Sequence, residues 1–223
     1  MAQFSFGRAL LLVALIWLVL VGGLAATAAW HRSPKAAAAP PRPASPRANA
    51  NATPPVNCHR GVPPTTSPWL AVARADAQKY GVDVLTFEWQ IWQESGFDPN
   101  IQNSPAGAEG IAQFEPTTAA GMGIDPRNPR QALDASARLD AEHLKQYATD
   151  AQQLVTHYGG EEARYDYGLA LSAYNAGPGA TSWAWGQAYA AGTRWPDSGP
   201  WAWLWRLAGE TQRYVPAILG CAL

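Results

Sequence analysis

Beyond residue 67 apolar positions recur at three- and four-residue spacing, and no stretch alternates apolar with polar as a half-buried strand does. Ser67-Pro68 reads as an N-cap and first helical position, so Trp69 to Tyr80 is predicted helical and stopped by Gly81. Asp83 caps a second predicted helix that runs to about Ser95, with Gly96 as its stop signal. Phe97 to Gln113 reads as loop with at most one helical turn. Pro116 opens a short helix that Gly121 and Gly123 end. Asn128-Pro129 starts a longer one through about Tyr147, and Thr149 to Tyr158 reads as a separate helix. Tyr165 to Asn175 is the next, ended by Ala176-Gly177-Pro178-Gly179. Residues 181–205 read as part helix and part loop. Glu210 to Leu219 closes the chain, with Pro216 limiting its regularity. There is no internal repeat. The pattern predicts an all-α domain over residues 67–223.

The first 66 residues obey other rules. Arg8 precedes an uncharged stretch from Ala9 to Trp30, long enough for a spanning helix. Its most hydrophobic part, Leu10 to Val21, has signal-peptide length, and Ala26-Thr27-Ala28 would serve as a cleavage site. Signal peptide and membrane anchor both remain open for residues 1–30, and both export the rest of the chain. Arg32, Lys35, Arg42 and Arg47 come after the apolar run, so charge asymmetry does not choose between them. No cysteine lies near the end of that run, which argues against a lipid anchor. Residues 31–66 are rich in Pro, Ala, Ser and Asn and read as a disordered, semi-stiff linker.

Composition narrows the function. Only 15% of residues are charged and the net charge is -1, so the chain carries no nucleic-acid footprint. The four histidines show no metal-ligand spacing, and no phosphate loop or Ser-His-Asp set occurs, so neither metal nor cofactor is expected. The two cysteines, Cys58 and Cys221, flank the predicted domain. In an exported protein they are expected to form a disulfide tying its ends together. Eleven tryptophans is a high count, and six lie between Trp183 and Trp205.

One helix carries a candidate acid. On a wheel of residues 84–95, Val84, Leu85, Phe87, Trp89, Ile91 and Trp92 fill a wide apolar arc. Glu94 falls at its edge, beside Phe87 and Ile91. A carboxyl there would be partly desolvated, which favours the neutral form that a general acid needs. A helix C-terminus pushes the same way. The wheel alone equally allows a glutamate pointing to solvent. Glu88 sits inside the arc but is not placed as a partner carboxylate, being about 120° away around the helix. Its expected role is favourable placement in the first turns.

Read together, five segments say more. They are Glu94-Ser95, Ser104-Pro105-Ala106-Gly107-Ala108, Gly110-Ile111-Ala112-Gln113, Ala173-Tyr174-Asn175-Ala176-Gly177-Pro178-Gly179, and Glu210-Thr211-Gln212-Arg213-Tyr214-Val215. In this order, over residues 67–219, the chain resembles the soluble lytic transglycosylases, lysozyme-like enzymes that cleave peptidoglycan. The resemblance implies a lysozyme-like helical fold with a sugar-binding cleft. It implies that Glu94 is the single acid/base for the bond between N-acetylmuramic acid and N-acetylglucosamine, giving a 1,6-anhydro product. It implies glycan contacts from Ser104, Gly110, Gln113, Tyr174, Asn175 and Glu210. Tyr174 is expected near the catalytic carboxyl or the reacting sugar, and Gly110 is expected to let the backbone approach the substrate. Ser95 is expected to pack or cap. The partners implied are glycan strands, with a membrane tether if the N-terminal segment is retained.

Two departures stand out. The second block reads Gly-Ile-Ala-Gln where Gly-Leu-Met-Gln is common, so Ala112 is expected to shorten a cleft wall. Glu115 stands where the family usually has an apolar residue. The tryptophans Trp183, Trp185, Trp195, Trp201, Trp203 and Trp205 are candidates either for sugar stacking or for core packing. Two rival functions remain. A goose-lysozyme-like muramidase would need a second carboxylate, from Asp98, Glu109 or Glu115. A wall-binding module would keep the fold without turnover.

Overall fold

A computed structural model describes residues 57–59, 61–101, 107–189, 198–221 and 223. Ser104 and Trp195 lie outside the described residues, as do the signal or anchor segment and most of the linker. Among the described residues there are seven α-helices and no strand, only an isolated bridge between Glu109 and Phe114. No described helix is long and apolar enough to cross a membrane.

The first helix, α1, spans Trp69–Tyr80 and buries Ala73 and Ala77, one turn apart. Side chains that small let α1 lie close to its neighbours. Helix α2, Val84–Ser95, begins where the Asp83 carboxylate accepts from the Thr86 amide at 2.8 Å. It ends at Gly96, whose left-handed backbone (φ 62°) no β-carbon hinders. Helix α3 is Pro116–Met122, with proline in its first turn. Gly121 lies inside it, and Gly123 stops it.

Helix α4 runs unbroken over Pro129–Tyr158, 30 residues, where the sequence pattern predicts two helices. No glycine or proline separates Tyr147 from Thr149, and the buried Tyr147, Ala151 and Leu154 continue its apolar stripe across that point. Helix α5, Glu162–Ala176, is buried nearly all round from Tyr165 to Ala173 and forms the centre of the domain. It packs against α4, against α6 (Pro178–Ala188) and against α7 (Gly209–Leu219). A 3-10 turn at Leu204–Arg206 leads into α7.

The tryptophan-rich segment divides. Trp201 and Trp203 are core residues, and the Trp201 ring lies so close to α5 that a β-carbon on Gly168 would meet it at 2.4 Å. Trp185 packs on Tyr189, whereas Trp183 and Trp205 are exposed.

The described residues from 57 to 67 are bonded to the helices. Asn57 Nδ2 donates to the Ile218 carbonyl at 2.9 Å, and the Cys58 amide donates to Leu219 at 2.7 Å. The His59 ring stacks on Trp89 with centroids 3.6 Å apart. Ser67 Oγ reaches the Phe97 carbonyl at 3.3 Å. This segment is a strap joining the end of α7 to α2, and the Cys58–Cys221 disulfide fastens it, as expected from the cysteine positions.

Candidate active site

Glu94 lies in the last turn of α2, the helix that α1 and α7 flank. Its residue is half-buried, so one side remains accessible. Burial of the carboxyl raises its pKa from 4.5 to about 8, against a hydrogen bond from Tyr214 that favours the charged form. The charge of Glu210 adds to the rise. Glu94 therefore holds its proton at neutral pH and has a donor ready to stabilise the carboxylate once the proton leaves.

Tyr214 is the residue that sequence reasoning missed. It is buried on α7, and its hydroxyl donates to Glu94 Oε1. The final motif block contains it, four residues after Glu210, on the same face as the buried Thr211, Val215 and Ile218. That inward stripe was a legible signal.

Two loops close around the end of α2. Ser95 Oγ donates to the Ile111 carbonyl at 2.7 Å and accepts from the Phe97 amide at 3.1 Å. It thereby holds the Gly110–Gln113 turn against the helix and supports the positive φ of Phe97, 67°. Ser95 thus has the packing role expected of it. The Gln113 amide nitrogen donates to the Gly110 carbonyl at 2.8 Å, fixing the turn from within.

Gly110 also has a close neighbour within the protein. A β-carbon there would lie 1.9 Å from the Pro126 carbonyl, so its open side is filled by protein. Ala112 is corrected: its side chain is fully buried, so it does not form an exposed cleft wall. Its carbonyl accepts the Tyr174 hydroxyl at 2.7 Å. Tyr174 in turn accepts from Ser136 Oγ at 3.1 Å and is therefore a brace between α4, α5 and the turn. Glu94 nevertheless helps raise the Tyr174 pKa, so the two groups lie within electrostatic reach.

The remaining predicted residues gather from α5 and α7. Asn175 Oδ1 accepts from Thr211 Oγ1 at 2.6 Å, coupling the Tyr-Asn block to the final block. Glu210 is exposed in the first turn of α7. The three carboxylates considered for a hydrolytic partner are otherwise placed. Glu109 forms a two-point ion pair with Arg127, at 2.7 and 3.1 Å. Asp98 accepts from the Asn100 amide at 2.9 Å. Glu115 is exposed at the start of α3. None of the three is among the groups that shift Glu94.

The model of the Transglycosylase SLT domain matches residues 71–195. The chain belongs to this family. Members of the SLT family are lytic transglycosylases that act on peptidoglycan, and their lysozyme-like, all-α architecture is the one described above. In this SLT domain, as elsewhere, fold alone does not assign chemistry. Among the described residues no group of His, Cys, Asp and Glu could hold a metal. The chemistry available is that of a neutral carboxylic acid with a phenol at its back.

Proposed function

We propose that this chain cleaves the β-1,4 bond between N-acetylmuramic acid and N-acetylglucosamine without water, in remodelling of the cell wall. Glu94 is the acid and then the base. It donates its proton to the glycosidic oxygen as the bond to C1 of the muramyl residue breaks. The C6 hydroxyl oxygen of the same sugar closes on C1, and its proton returns to Glu94. The products are a free 4-hydroxyl on N-acetylglucosamine and a 1,6-anhydro-muramyl end. Glu94 finishes protonated, as it began, so a second carboxylate is not required.

The observation that carries this reading is the buried carboxyl pushed up to about 8 with the Tyr214 hydroxyl on it. Asp98, Glu109 and Glu115 lack any comparable relation to it, which favours the lytic route over hydrolysis. Gln113, Asn175 and Glu210 are assigned to the polar sugar groups, with Gly110 shaping the turn and Tyr174 positioning it. Ser104 keeps that role on its motif alone. Peptidoglycan as substrate implies action outside the cytoplasm, and residues 1–30 supply the export signal or tether.

Digestion of purified peptidoglycan, with product ends identified by mass spectrometry, tests this reading. Anhydro ends are expected. Reducing muramic ends would replace it with hydrolysis, and no soluble product would leave a binding module.

A further inference from the structure

Behind Glu94 lies a buried polar pair that the proposed reaction does not use. Gln90 and Asp140 are both almost fully buried, and Gln90 Nε2 donates to Asp140 Oδ1 at 3.2 Å. Gln90 precedes Glu94 by one helical turn on α2, so the two residues share a face. Asp140 lies on α4. The backbones of α2 and α4 scarcely approach each other, so this hydrogen bond is a direct tie between the Glu94 helix and the longest helix of the domain.

The far side of Asp140 can be placed by register. Ser136 on α4 meets Tyr174 on α5, and His143 on α4 meets the backbone of Ala170. These two contacts make the helices antiparallel and place Asp140, between them on α4, on the face that α5 covers. Asp140 Oδ2 is buried and has no hydrogen-bond partner. Asp140 adds to the rise that burial causes in Tyr167 and Tyr174 on α5 and in Tyr214 on α7, and is itself within electrostatic reach of Glu94 on α2.

We infer that Asp140, acting through Gln90, is a positioning residue that holds the last turns of α2, and with them the Glu94 carboxyl, in place for proton transfer. This rests on Glu94 being the acid. Burial pushes its carboxyl well above the ordinary range, the Gln90 hydrogen bond offsets part of that, and the charge of Glu94 adds to it. Asp140 Oδ1 accepts from Gln90, and its buried Oδ2 has no hydrogen-bond partner. Asparagine keeps an acceptor for the Gln90 amide; leucine keeps the volume and accepts no hydrogen bond.

The test compares kcat and KM on soluble glycan fragments for the full chain carrying Asp140→Asn, Asp140→Leu, Gln90→Leu and the double Gln90→Leu/Asp140→Leu change, with Glu94→Gln alongside. Asp140→Leu is expected to lower kcat about tenfold or more at nearly constant KM, because small misplacements of a catalytic group are costly. Asp140→Asn is expected to stay within about threefold of wild type between roughly pH 5 and pH 8, and the double variant to be no slower than either leucine single. Wild-type kcat in a folded Asp140→Leu, or in the double variant should the single fail to fold, overturns the inference. So does an Asp140→Asn enzyme as slow as Asp140→Leu. Activity in Glu94→Gln would instead remove the acid reading itself, so the two failures are separable.

Discussion

Three effects compete for one proton at Glu94. Burial raises its pKa, Tyr214 lowers it, and Glu210 raises it, to about 8 in all. The reaction needs the protonated form, so turnover should fall as pH rises through about 8. Tyr214→Phe removes the donor that favours the carboxylate, so this alkaline limb should move to higher pH while kcat falls; a limb that stays in place would deny the hydrogen bond its role. The raised pKa also costs stability. Between the ordinary 4.5 and about 8, the folded protein keeps a proton that the unfolded chain releases, so stability declines as pH rises across that window. Glu94→Gln escapes this cost, which is on the order of 1.4 kcal/mol at most for each pH unit crossed. Its melting temperature should therefore exceed that of wild type by more at pH 8 than near pH 4.5, as calorimetry can check. At this scale the helical wheel placed Glu94 correctly at the edge of the apolar arc. It misjudged Glu88, which is fully buried in an ion pair with Arg74 at 2.9 Å, because one wheel cannot show a cation on the neighbouring helix.

Elements hold these residues in place, and their ends were easier to read than their lengths. The bounds of α1 and α2 are those expected, since Asp83, Gly81 and Gly96 act locally. The continuity of α4 was hidden because Ala148-Thr149-Asp150 is locally polar, while the stripe that carries the helix through depends on what α5 and α6 bury. The contact of Gly110 with Pro126 was not legible, because Pro126 reaches it only through the fold. Gly110→Ala must displace a backbone carbonyl 1.9 Å away and also adopt a φ of 75°. It should destabilise the domain by roughly 3 kcal/mol or more in chemical denaturation. A loss below about 1 kcal/mol would mean that the loop between α3 and α4 shifts freely.

The described domain ties its two ends together through Cys58 and Cys221. The strap at 57–67 grips the end of α7, which carries Tyr214, and runs along α2 towards the Glu94 end. Composition hid this, because proline-rich sequence reads as linker whether or not it is hydrogen-bonded. The disulfide itself was readable from two cysteines in an exported chain. It spans 163 residues of sequence. In the chain-entropy model closure of so long a loop contributes about 4–5 kcal/mol. Replacing both cysteines by serine should lower the melting temperature by on the order of 10 °C. An unchanged transition, measured by circular dichroism with and without reductant, would reduce the bridge to an ornament of the termini. The order of the five motif blocks told more than any element alone, since it joined α2, α5 and α7 into one site before their packing was known. The central claim is that one carboxyl does the chemistry, and the most direct measurement is peptidoglycan turnover and glycan binding by Glu94→Gln. Binding close to wild type with no detectable product is the expected result; product release at the wild-type rate would contradict it.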